Sequence, residues 1–116
     1  MAYPSRMLTV AETPEFSRKI RRLVGDADYQ ALIAYLAEHP KAGDLMRGTG
    51  GIRKLRWTRD GSGKSGGVRV IYYFHDKRMP LYLLSIFGKN EKANISQAER
   101  NTLAQLVALL TKAAGV

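Results

Sequence analysis

Five cations stand where they could act on a phosphodiester: Lys54, Arg56, Arg69, Lys89 and Lys92. Lysine and arginine can carry such chemistry without histidine. Positive charges packed together lower the pKa of a neighbouring lysine, which lets it act as a base. An arginine fork can neutralise a pentavalent phosphate as charge develops on it. RNA supplies its own nucleophile, the 2′-hydroxyl. Tyr73 and Tyr82 fall near these cations in the predicted sheet, where an aromatic ring can stack a splayed base. The same set equally suits a basic surface that binds without catalysis, and the residues alone leave both readings open.

Arg69 lies inside an apolar strand that a glycine-rich turn feeds, GSGKSGGVRVIYYF (61–74). A charge within a strand is costly unless it meets water, a partner or a ligand. The turn is not a nucleotide-binding loop. That pattern needs a glycine five positions before Gly63 and a helix afterwards, and this chain has Thr58 and a strand. A hairpin loop offering Lys64 to a phosphate backbone fits better.

Other chemistries lack their residues. There is no cysteine, which removes disulfides, thiolate catalysis and cysteine-based zinc sites. His39 and His75 have no metal-ligand spacing, so no metal and no cofactor are expected. His39, before Pro40, suits a helix C-cap. The acidic residues do not cluster as paired carboxylates, and there is no nucleophile elbow. The net charge of +9 favours a polyanionic partner. Between Arg47 and Arg78 stand nine basic and two acidic side chains, so most of the excess sits in about a quarter of the chain. The bland alternative is a solvated basic face.

The elements that must position these groups follow from periodicity. The 116 residues suit a single domain spanning 1–116. Met7–Ala11 reads as a short strand. Thr13 caps a helix with Pro14 at its first position and Phe16, Ile20, Leu23 and Val24 on one stripe. Gly25 ends it. A second helix, started by Asp26 or Asp28 and closed by His39-Pro40, buries Leu32, Ile33, Leu36 and Ala37. Residues 41–51 form a loop. Three strands follow at 52–58, 68–75 and 81–87, and Ser96 with Glu99 opens a last helix carrying Leu103, Leu106, Val107 and Leu110. The expected fold is α+β in β-αα-βββ-α order. It is a small twisted antiparallel sheet with the helical hairpin packed on one face and a C-terminal helix. Alternation puts Arg53, Leu55 and Trp57 on the core side, and leaves Lys54, Arg56 and Arg69 on an opposite, at least partly open face.

Three strings, GIRKLRW (51–57), GKSGGVRVIYYF (63–74) and LYLLSIFGKNEKANIS (81–96), resemble the HigB branch of the RelE/ParE toxin superfamily. The resemblance covers nearly the whole chain. It implies a toxin of a type II toxin–antitoxin system that cleaves mRNA in the ribosomal A site, by 2′-hydroxyl attack that leaves a 2′,3′-cyclic phosphate. By position, Arg69 falls on the strand arginine that stabilises the phosphate, and Lys89 on a basic position late in the site. Lys54 and Arg56 match the basic pair on the preceding strand. Lys64, Arg53, Tyr73 and Lys92 are the RNA-binding expectation. The better-studied RelE enzymes carry a tyrosine near the C-terminus, whereas no tyrosine follows Tyr82 here; Lys89 or Lys92 would take that role. The implied partners are a HigA-type helix-turn-helix antitoxin, the ribosome and mRNA. No apolar run approaches the roughly 20 residues of a membrane span, so a cytoplasmic location without a membrane partner is expected. The alternatives are a ParE-like toxin that poisons gyrase, or a module that binds RNA or antitoxin without catalysis.

Overall fold

The computed structural model describes residues 8–58 and 67–116. The order is β1 (Val10–Glu12), α1 (Pro14–Leu23), α2 (Asp26–Glu38), β2 (Asp44–Leu45), β3 (Ile52–Trp57), β4 (Val68–Tyr73), β5 (Leu81–Gly88) and α3 (Gln97–Ala114). The strands form one sheet in the order β1-β5-β4-β3-β2. Among the described residues, no helix is long and apolar enough to cross a membrane.

The sheet is mixed rather than wholly antiparallel, because β1 runs parallel to β5 at one edge. Thr13 fixes this junction. Its N–H donates to the Leu83 carbonyl (3.0 Å) and its hydroxyl donates to the Leu84 carbonyl (2.8 Å). The same hydroxyl oxygen accepts from the Phe16 N–H (3.1 Å), so one residue ends the edge strand and caps α1. At the other edge, β2 lies inside the segment expected to be only loop. Two residues are too few to show an alternating pattern.

The sheet separates two cores. On the hairpin face, Phe16, Ile20, Leu32 and Leu36 meet Leu55, Val68, Val70, Tyr72, Leu81, Leu83 and Ile86. On the other face, Val107 and partly buried Leu103, Leu106 and Leu110 of α3 cover Ile52, Ile71, Tyr73, Leu84 and Phe87. Much of the face expected to be open is therefore roofed by α3, since that amphipathic helix must bury its stripe somewhere. β5 serves both cores through a bulge. Ile71 pairs with Ser85 but Tyr72 pairs with Leu83, so Leu84 is an extra residue. Leu83 and Ile86 thereby face the hairpin while Leu84 and Phe87 face α3. Ser96 caps α3, accepting from the Glu99 N–H (3.1 Å), and the Glu99 carboxylate accepts from the Ser96 N–H (2.8 Å).

Tyr72, wholly buried, holds the segment between α2 and β2. Its phenol accepts from the Gly43 N–H (2.8 Å) and donates to the Pro40 carbonyl (2.9 Å). A Cβ at Gly43 would stand 2.8 Å from the Tyr72 ring, so only glycine fits this approach. Nearer β1, the Tyr29 phenol donates to Glu12, which also accepts from the Ser17 hydroxyl. Burial, then the adjacent Glu12 carboxylate, pushes the Tyr29 phenol up to about 12.

Two predictions follow from these tyrosines. Tyr72→Phe leaves a buried N–H and carbonyl without their partner and should lower stability by about 1–3 kcal/mol in urea unfolding; an unchanged midpoint would contradict this role. Tyr29 has its folded pKa raised above the unfolded value of about 10. Its contribution is thus fully present below that pH and lost as pH rises through about 12. Tyr29→Phe should flatten that alkaline loss of stability and remove a phenol titrating at about 12 from the ultraviolet titration.

Candidate active site

The antiparallel register of β3 and β4 sets Arg56 directly opposite Arg69, with Lys54 opposite Ile71 and Ile52 opposite Tyr73. Alternation puts all six side chains on the α3 face. Ile52, Ile71 and Tyr73 are buried there, Lys54 and Arg69 are half-buried, and Arg56 is exposed. Expected to share a face, Lys54, Arg56 and Arg69 do so, at the corner that α3 leaves to water.

Residues opposite one another on adjacent strands hold their Cβ atoms about 4.5–5.5 Å apart, and like charges in that position destabilise the sheet. Arg56 and Arg69 form no ion pair among the described residues, where carboxylates pair instead with Lys19, His75, Arg78 and Lys92. One terminal nitrogen of Arg69, Nη1, is buried with no hydrogen-bond partner among the described residues. It lies back over its own strand: a Cβ at Gly67 would come 3.6 Å from it. This corner is a concentration of positive charge with unused donors.

The remaining expected residues divide. The Lys89 N–H donates to the Gly67 carbonyl (3.1 Å), which extends the β4–β5 ladder and brings Lys89 beside the Arg69 strand with its side chain exposed. Lys92 lies on the same side, 5.1 Å from the centre of the Phe87 ring, the cross-strand neighbour of Arg69. It is engaged, donating to the Glu99 carboxylate at 2.8 Å. That ammonium, with the Ser96 N–H, holds the Glu99 carboxyl below its usual range. Arg53 is on the hairpin side, as alternation required. It donates to the carbonyls of Lys41 (3.1 Å) and Gly43 (2.7 Å) and staples the chain before β2. Tyr73 is only 5% exposed, its ring under α3 and its hydroxyl 3.1 Å from His75 Nδ1, so it cannot stack a base from this position. Lys64 lies outside the described residues. His39 caps α2, its N–H donating to the Tyr35 carbonyl (2.8 Å).

Sequence reasoning missed three neighbours of Lys54. Arg47, Asn94 and Arg100 line with it a cavity of about 270 Å³ between β2 and the start of α3. They are far apart in sequence, and only the docking of α3 brings them together.

Comparison with known proteins places the chain in a family. The model of the RelE toxin of the RelE/RelB toxin–antitoxin system matches residues 10–115. Among solved structures, an arginine-to-alanine double mutant of the E. coli toxin RelE in the free state is similar in fold, with a TM-score of 0.55. That likeness covers 84% of this chain and 94% of that one at 16% identity, and it speaks to fold alone.

The arginine pair makes a prediction independent of function. Arg56→Thr removes cross-strand repulsion and should raise stability by about 0.2–1 kcal/mol, read from the urea midpoint. A variant less stable than the wild type would show that Arg56 has a structural partner.

Proposed function

The chain belongs to the RelE toxin family, and we propose that it is a ribosome-dependent endoribonuclease of the HigB branch, cutting mRNA in the ribosomal A site. The observation that carries this reading is the Arg56–Arg69 pair: two cations directly opposite each other at an open sheet corner, without acidic partners among the described residues. A fold tolerates that repulsion where a polyanion relieves it.

The message's 2′-hydroxyl gives up its proton as it attacks the adjacent phosphorus, and the bond to the 5′ oxygen of the next nucleotide breaks as that oxygen takes up a proton. The products are a 2′,3′-cyclic phosphate and a 5′-hydroxyl end. Arg69 and Arg56 neutralise the phosphate as charge builds on it, because preset donors act most strongly on charge that develops in the transition state. Lys54 and Lys89 add positive charge on either side of that pair. Lys92, tied to Glu99, has a secondary part in holding RNA. The cations supply the electrostatic stabilisation, so the reaction needs no cofactor. The cognate antitoxin, which we assign to the HigA type, neutralises the toxin by binding it in the cytoplasm.

The test is toxicity together with primer extension on translated message after induction. Arg69→Ala and Arg56→Ala should each lower cleavage by about 10²–10³-fold, with the fold intact by circular dichroism. Lys92→Ala should cost less. Full toxicity in both arginine variants sinks the assignment of the site, and DNA damage with intact message would point to gyrase instead.

A further inference from the structure

The cavity beside Lys54 has a composition that the cleavage site does not account for. Its walls carry Arg47, Lys54 and Arg100 against one carboxylate, Asp44, with Asn94 also on the lining. Asp44 stands across from Lys54 in the β2–β3 register, yet no ion pair joins them. The cavity therefore keeps net positive charge.

Two features show that it is built rather than incidental. Arg100 projects from the first turns of α3. Its Nη1 reaches the Arg47 carbonyl at 3.4 Å, while its Nε is buried with no hydrogen-bond partner among the described residues. A buried donor left unmade is costly, so Arg100 keeps its place on the cavity wall at the cost of a hydrogen bond. Arg47, in turn, stands on a rigid turn. The Met46 N–H donates to the Ile52 carbonyl (2.8 Å), the buried Thr49 hydroxyl donates to the Met46 carbonyl (2.6 Å), and the Ile52 N–H donates to the Thr49 hydroxyl oxygen (3.1 Å). Gly48, Gly50 and Gly51 take positive φ there, which lets the chain turn this tightly. The backbone on both sides of the cavity is set before any ligand arrives.

We infer that Arg47, Lys54 and Arg100 form a second phosphate subsite, which holds the message phosphate next to the one that is cut. Lys54 and Arg56 are two residues apart on one strand face, about 7 Å, comparable with the span of one nucleotide in an extended backbone. Lys54 thus belongs to both subsites and sets the register of the message across the arginine pair. Arg47 and Arg100 are positioning residues: they bind a neighbouring linkage and leave the reacting atoms to Arg56 and Arg69. This inference rests on the proposed cleavage of RNA.

The experiment is steady-state cleavage in programmed ribosomes, with messages that carry either a normal linkage or a neutral methylphosphonate beside the cut. Arg47→Gln and Arg100→Gln should each raise KM about tenfold with kcat nearly unchanged. Arg100→Lys should recover much of the loss, and Asp44→Asn should lower KM. The neutral linkage should raise KM for the wild type and raise it less for Arg100→Gln. The subsite is overturned if KM does not move in the Arg47 and Arg100 variants, or if the effects of Arg100→Gln and the neutral linkage multiply. It is also overturned if Arg100→Leu lowers the melting temperature, since Arg100 would then be structural. Arg69→Ala is run alongside. Wild-type cleavage by that variant would fell the cleavage proposal, whereas its loss beside an unchanged KM in the Arg47 and Arg100 variants would fell the subsite alone.

Discussion

Two arginines face each other across β3 and β4, and the sheet around them is arranged to hold that unfavourable contact in place. The repulsion is small beside the two hydrophobic cores that flank it. Fully burying one large apolar side chain contributes roughly 1.5–3 kcal/mol, and Phe16, Leu32, Leu36, Ile71, Leu84 and Phe87 are all essentially inaccessible. The paired strands can neither slide nor part to relieve the charge. A one-residue slip would turn Val68, Val70 and Tyr72 out of the hairpin core and bring Arg69 into it. The register that buries Val70 and Tyr72 is the same register that presents Arg69.

α3 decides how much of this charge meets the outside. Its apolar stripe covers Ile52, Ile71 and Tyr73, leaving a corner in place of a whole open face. It also carries Glu99, which ties up Lys92, and Arg100, which turns toward Arg47. A single helix therefore selects which cations are free and which are spent. By roofing most of its face of the sheet, α3 leaves the Arg56–Arg69 charge there at one corner, and under the proposed function an RNA strand would be held along the Lys54–Arg56 line, not merely attracted to a basic protein.

Much of this was legible in the sequence. Helical spacing located both helices of the hairpin, Thr13 and Ser96 marked the caps of α1 and α3, and alternation placed Arg53 apart from Lys54 and Arg56. What could not be read had physical causes. The parallel pairing of β1 with β5 depends on the Thr13 bonds to residues some seventy positions away. The Leu84 bulge breaks a period-two pattern that looks regular in Leu81–Phe87. Tyr73 reads as an exposed aromatic until α3 is laid over it, and the same docking creates the cavity of Arg47, Asn94 and Arg100. Long-range packing, not local preference, makes each of these.

The central claim is that this corner works by letting RNA attack itself, with the protein supplying charge. The most direct measurement uses a message with a single 2′-deoxy nucleotide at the cleaved position, presented in programmed ribosomes to the wild-type protein. The account predicts that this message stays intact while the all-ribose message is cut to a 2′,3′-cyclic phosphate and a 5′-hydroxyl end. Cleavage of the deoxy message at the same position would contradict it, because the nucleophile would then have to come from elsewhere.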